Sequence, residues 1–226
     1  MKDTGRNPHR AGRMSYIAGI VAVTALLLSI TAPAAVTAPA QAKCPACGKN
    51  LIKNPGAESG RGVVSVNSFG AVPGWTLAAG QFGAASYTFP NGWFSAKTKG
   101  SPKRGKNYFF GGTTTAAVTA PASIGSQTIA LPASAAGRKA TLSGWLGNYG
   151  NNRSQVRAEF MDAAGAVLSR IRIGPAVTIG GTDMSLRSRT GTVPAKTKQV
   201  TILITFAGGG ANYKLAGVDN VSLVLT

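Results

Sequence analysis

The segment KQVTILITFAGGG, residues 198–210, alternates apolar and polar side chains with a period of two. Val200, Ile202, Ile204 and Phe206 point one way, and Thr201, Leu203 and Thr205 the other. Such a segment buries one face as a strand and neither face as a helix, so the pattern commits it to a half-buried sheet. The pattern recurs. RKATLSGWLGNYG places Ala140, Leu142, Gly144 and Leu146 on one face, opposite Thr141, Ser143 and Trp145. DNVSLVLT, at the C-terminus, places Val221, Leu223 and Leu225 together. QVRAEFMDAAGAVLSRIRI predicts a hairpin closed at DAAG, where Gly165 supplies the left-handed residue such loops require. Weaker strands are predicted at GVVSV, NYFFGG, SQTIAL and SLRSRTGTV. Helix signals are nearly absent beyond residue 42. Several short strands with one apolar face each predict an all-β fold, an antiparallel β-sandwich of two sheets over one core. No linker divides residues 50–226, which read as one domain.

Residues 1–42 read as an export signal. A basic start (MKDTGRNPHRAGR) precedes an apolar run from Met14 to Ile30. A Pro/Ala/Thr stretch then ends in Ala40-Gln41-Ala42, a small-x-small cleavage site. The alternative is a membrane anchor, since 17 apolar residues lie near the lower length limit of a spanning helix, roughly 17–25 residues. Pro33 and Pro39 follow with no basic stop-transfer cluster. Cleavage leaves no membrane span and predicts a secreted chain with a short tail, residues 43–49. Cys44 and Cys47 in that tail, with no histidine nearby, cannot complete a zinc site. Export favours their oxidation, to each other or to a partner.

The leader also removes Lys2, Arg6, Arg10, Arg13, Asp3 and His9, the chain's one histidine, so the net charge falls from +18 to +15. A chain this basic favours anionic partners such as acidic polysaccharide, although charge can also serve solubility alone. Nucleic acid is permitted by charge, but no recognition motif accompanies it. Absence of histidine excludes Ser-His-Asp and Cys-His catalysis and imidazole metal sites.

NLIKNPGAESG, residues 50–60, resembles the opening of carbohydrate-binding modules with the galactose-binding-like jelly roll. VPGWT resembles their Pro-x-x-Trp element, and GVDNVSLVL resembles their closing strand with its Asp-Asn pair. The intervening segments GKNYFFGG, SQTIAL, KATLSGWLG and VRAEFMDAAGAVL follow in the same order, so the resemblance spans Asn50–Thr226. It implies a jelly roll whose first and last strands lie close together. It also implies a structural calcium ion held by Glu58 and Asp219 with backbone carbonyls, an oxygen-rich set that suits calcium. The alternative is that both acids are satisfied by the protein's own hydrogen bonds.

Sugar rings are held by aromatic faces with a few directional polar groups. Trp75 follows a Pro-Gly turn at a position that the resemblance implies is core. Trp145 alternates away from Leu142 and Leu146, onto the outer sheet face. Arg157 and Glu159 alternate away from Val156, Ala158 and Phe160 and are candidates for the same face, where the three would form a cleft; the alternative is a surface salt bridge beside a Trp covered by a loop. Tyr87 and Trp93, in SYTFPNGWFSAK, are candidates for an aromatic rim or for a plug at one end of the sandwich. KTKGSPKRGK is the densest basic stretch and the candidate contact for a polyanion, or a solvated loop. These features predict a secreted, non-catalytic module that binds an acidic or cell-wall polysaccharide. A structural or adhesive surface protein is the alternative, and a polysaccharide-degrading enzyme using Glu159 and Asp183 is the third reading.

Overall fold

A computed structural model of the chain describes residues 43–63, 71–89, 94–112, 120–176, 182–208 and 214–226. Residues 1–42, read above as an export signal, lie outside the described residues, as does Trp93. Among the described residues no helix is long and apolar enough to cross a membrane.

The alternating segments become ten strands: β1 (Thr76–Ala79), β2 (Gly83–Ser86), β3 (Asn107–Phe110), β4 (Ala122–Ala130), β5 (Lys139–Asn148), β6 (Asn152–Met161), β7 (Val167–Ala176), β8 (Met184–Thr192), β9 (Gln199–Gly208) and β10 (Ala216–Leu225). They form two antiparallel five-stranded sheets, in the orders β1-β4-β9-β6-β7 and β2-β3-β10-β5-β8. The predicted hairpin is the β6–β7 pair, with Gly165 at φ 83° in its turn. Two strands lack an alternating signal. β1 (TLAA) is a short edge strand, and β2 (GAAS) is buried at all four positions.

The inward faces meet as the alternation predicts. Val156, Ala158 and Phe160 from β6 and Val200, Ile202, Ile204 and Phe206 from β9 pack with Leu142 and Leu146 of β5 and Val221, Leu223 and Leu225 of β10. Burying each such side chain contributes roughly 1.5–3 kcal/mol. Trp75 is 9 % exposed and belongs to this core, edge-on to Phe109 at 4.9 Å.

The segment around residues 48–55 is stitched to the C-terminal strand. Asn50 donates from Nδ2 to the Val221 carbonyl at 3.0 Å, and its Oδ1 accepts from the Leu223 amide at 3.0 Å. The Leu51 amide donates to Leu223, Gly48 to Leu225, and Val221 back to the Pro55 carbonyl. The opening segment thus takes the place of a strand beside the second half of β10, whose first half pairs with β3. Cys44 and Cys47 form a disulfide at the start of this segment.

Candidate functional site

The outer face of the β10 sheet carries a second, smaller aromatic cluster. Tyr108 and Phe110 of β3 and Met184 of β8 are joined by Tyr87 and Phe94 from the loop that follows β2. Phe94 is fully buried, and a pair of glycines makes room for it. Gly147 of β5 and Gly217 of β10 lie opposite each other in the ladder. A Cβ on Gly147 would come within 2.6 Å of the Phe94 ring, and one on Gly217 within 2.9 Å. The loop is therefore a roof laid on bare backbone over half of the sheet.

Arg104 holds the roof in shape. Its guanidinium donates to the carbonyls of Ser95 (2.9 Å), Ala96 (3.3 Å), Thr98 (2.7 Å) and Ser101 (3.2 Å), and it lies 5.2 Å from the centre of the Tyr87 ring. One residue of the basic stretch is thus a structural brace, while Lys97, Lys99, Lys103 and Lys106 remain exposed.

Asp219 and Asn220 tie the roof to the sheet. At this point β10 bulges, with Asn220 and Val221 opposite Gly144 alone, and Asn220 takes a left-handed φ of 47°, a conformation asparagine tolerates better than most residues. The Asn220 Nδ2 donates to Ser101 Oγ (2.8 Å) and to the Lys103 carbonyl (3.0 Å). Asp219 is fully buried. Its Oδ2 accepts from the Tyr87 hydroxyl at 2.9 Å and its Oδ1 from the Asn220 amide at 2.7 Å. Burial raises the Asp219 carboxyl from the ordinary 3.8 to about 6; the two hydrogen bonds pull it back, and the neighbouring Glu58 charge adds to the rise. Burial and the Asp219 charge together push the Tyr87 phenol well above its usual range.

Glu58 and Asp219 do come to one place. A Cβ on Gly56 would sit 3.0 Å from Asp219 Oδ1 and 3.7 Å from Glu58 Cγ, so only a glycine separates them closely. Both Glu58 oxygens accept backbone amides, from Asn107 (3.0 Å) and Lys106 (2.9 Å). Each of the four carboxylate oxygens of the pair keeps a lone pair beyond its hydrogen bond. The donor set suits a hard cation in kind, although among the described residues no third acidic, His or Cys side chain joins it.

The other half of the outer face is open. Trp145 is half-buried, flanked on β8 by Leu186, which is 54 % exposed. Beside them lies a cavity of about 600 Å³ lined also by Asn50, Ser143, Lys103 and Asn220. Apolar and ring surface here stands next to amide, hydroxyl and ammonium groups. Trp145 therefore lies on the outer face, as its alternation predicts.

Two sequence expectations are corrected. Arg157 and Glu159 belong to β6, in the other sheet, and face outward on the opposite side of the sandwich from Trp145. Alternation shows which side of a strand a residue takes but not which sheet the strand joins. Tyr87 is not a rim residue: it is 5 % exposed, and its hydroxyl is given to Asp219. Asn220 is a site-forming residue that sequence reasoning misses, although the Asp-Asn pair signals it; Arg104, read as part of a polyanion-contacting stretch, is instead a brace, which no signal in a basic run distinguishes.

The sequence matches no protein-family model and no curated protein. Several solved structures share the fold. The Stig cyclase Fisc from Fischerella sp. TAU, solved with an indole compound bound, aligns over 79 % of this chain and 97 % of its own at 18 % identity, with a TM-score of 0.57. The enzymatically active domain of bacteriophage CBA120 tailspike protein 4 aligns at 15 % identity and TM-score 0.52, over 78 % of this chain. The present chain spans only 21 % of that one. A family 16 carbohydrate-binding module aligns over 77 % of this chain and 99 % of its own at 16 % identity and TM-score 0.49. At these identities the likeness to the cyclase and the tailspike domain is one of fold alone, and the fold is the jelly-roll sandwich.

The buried acid gives the domain a pH signature. The Asp219 carboxyl titrates higher in the folded chain than its ordinary 3.8, so its contribution to stability is present below about pH 4 and is lost as pH rises through about 6. The unfolding free energy of the wild type, relative to Asp219→Asn, is expected to fall by on the order of 2–3 kcal/mol between pH 4 and 7. Chemical denaturation at several pH values measures this, and a difference independent of pH contradicts the burial of this group as a charge.

Proposed function

We propose that this is a secreted, non-catalytic module that binds an acidic or cell-wall polysaccharide, with Trp145 stacking on a sugar ring. The observation that carries the reading is the half-open indole on the unroofed part of the β10 sheet, beside a cavity with amide, hydroxyl and ammonium groups. An aromatic face with a few polar groups is what a sugar's C–H face and hydroxyls need. The shared fold alone does not choose among activities, since a cyclase and a tailspike domain have it too.

The state of the carboxylates supports binding over catalysis. A glycosidase needs two that face the scissile bond. Here Asp219 is buried and Glu58 accepts two amides. Asp162 closes the hairpin turn, Asp183 accepts the Lys99 amide, and Glu159 is held by arginines. All five acids of the described residues are bonded within the fold.

Pull-down on insoluble acidic and neutral polysaccharides tests this reading. Trp145→Ala is expected to weaken binding by about 1–3 kcal/mol, as loss of ring stacking does elsewhere, with little change in Tm. Unfolding of this variant with unchanged binding per folded molecule would make Trp145 a core residue. Failure of every glycan at every salt concentration would leave the structural or adhesive reading, and release of reducing ends by the purified protein would make it an enzyme.

The proposal includes a structural calcium ion at Glu58 and Asp219, supported by two adjacent carboxylates with lone pairs to spare. The Tm is expected to be higher in calcium than in chelator, by the equivalent of roughly 2.7 kcal/mol at a hundredfold excess over Kd, and Glu58→Gln is expected to remove most of the gain. Identical melting after confirmed metal removal rules the ion out.

A further inference from the structure

On the opposite side of the sandwich, Arg157, Arg170, Arg172 and Arg189 line a concavity of about 270 Å³. Arg157 stands directly across the β6–β7 ladder from Arg172, and Glu159 directly across from Arg170. Arg189 reaches the same place from β8, the edge strand of the other sheet. Like charges directly opposite on a sheet destabilise it, and the one carboxylate beside these four guanidiniums pairs with only two of them. That carboxylate sits low, its side chain 13 % exposed, with Oε1 2.8 Å from Arg170 Nε and 3.1 Å from Arg157 Nε. The Arg157 Nε–H is not aligned with it, so that buried nitrogen has no acceptor among the described residues. Among the described residues the Arg170 side chain donates through Nε alone. Arg172 and Arg189 are exposed, and neither side chain makes a hydrogen bond or ion pair among the described residues. Glu159 therefore holds two arginines by their inner nitrogens, and among the described residues the outer, fork-like ends of all four have no acceptor.

We infer that Arg157, Arg170, Arg172 and Arg189 form a receptor for an oxyanion group of an acidic polysaccharide, a sulfate ester or a carboxylate. Planar guanidinium forks match the paired oxygens of both groups, and an anion among them relieves the repulsion that Glu159 only partly offsets. The inference rests on the proposed reading of an acidic polysaccharide ligand but not on Trp145: three of the arginines belong to the other sheet, and Arg189 takes the opposite face of β8 from Leu186, the neighbour of Trp145. It gives the basic chain a specific contact with an anionic polymer where scattered surface lysines give only a diffuse field.

Binding to dextran sulfate, polygalacturonate and unsubstituted dextran at fixed salt separates the cases. Dextran sulfate carries only sulfate esters, polygalacturonate only carboxylates, and dextran neither. The pair Arg172→Gln and Arg189→Gln is expected to weaken binding to one or both anionic polymers about tenfold or more. Removing the same charge from exposed Lys139 and Lys198, by Lys139→Gln with Lys198→Gln, is expected to have a much smaller effect. Which polymer suffers the larger loss identifies the anion. Arg172→Lys with Arg189→Lys keeps the charge but removes the forks, and is expected to fall with the glutamine pair. The loss is expected to have the same size in a Trp145→Ala background, which keeps this site separable from the ring-stacking face. Equal losses from the lysine and arginine pairs, full binding by the Arg→Lys pair, absence of binding to both anionic polymers, or tighter binding to a DNA duplex than to either polymer would each overturn the inference.

Discussion

Asn220 stands where the closing strand bulges, in a backbone conformation few side chains other than glycine accept without strain. Much of the molecule's layout follows from this kink. It turns the Asn220 amide onto Ser101 and Lys103, and it places the Asp219 carboxylate beneath the Tyr87 hydroxyl. The loop carrying Tyr87, Phe94 and Arg104 is thereby buttoned to the sheet from below, while Arg104 braces it from within. Immediately after the kink, the Val221 amide reaches back to Pro55 and the strand is completed by the opening segment. A single irregularity in the central strand of one sheet thus closes the fold and roofs half of its outer face.

The unroofed half is where a ligand has access. Trp145 is the direct ladder partner of Asp219, so the residue that holds the roof and the residue that borders the opening are neighbours across β5 and β10. The two outer faces of the sandwich then differ in chemistry. One offers an indole with hydroxyl and amide groups, and the other an arginine cluster beside a single acid. The acids take part in closure, turns and orientation, so the positive charge is left for whatever the protein meets.

Much of the fold is legible in the sequence because alternation reports burial directly. β5, β6, β9 and β10 read correctly from their apolar periodicity, and the β6–β7 hairpin from its glycine. β1 and β2 do not, because four residues of Thr, Leu, Ala, Gly and Ser carry no period, and their strand state is imposed by pairing with β4 and β3. The meeting of Glu58 with Asp219 was accessible through the resemblance of the chain's two ends to a known fold. The grouping of Trp145 with Arg157 and Glu159 was not, since sheet membership depends on long-range topology that local pattern does not encode. Tyr87 is a parallel case: an aromatic in a turn-rich loop can face solvent or cover a sheet, and only the glycine pair on the strands beneath, which leaves room for Phe94, decides for covering.

The central claim is that a sugar ring rests on Trp145. The most direct test is titration of the isotopically labelled protein with soluble oligosaccharides of acidic and cell-wall polysaccharides, following the indole N–H resonances. The Trp145 resonance is expected to shift progressively and saturably, while that of Trp75, buried in the core with its Nε1 donating to the Asn54 carbonyl, stays in place. Saturable binding that leaves the Trp145 resonance unmoved would contradict the account.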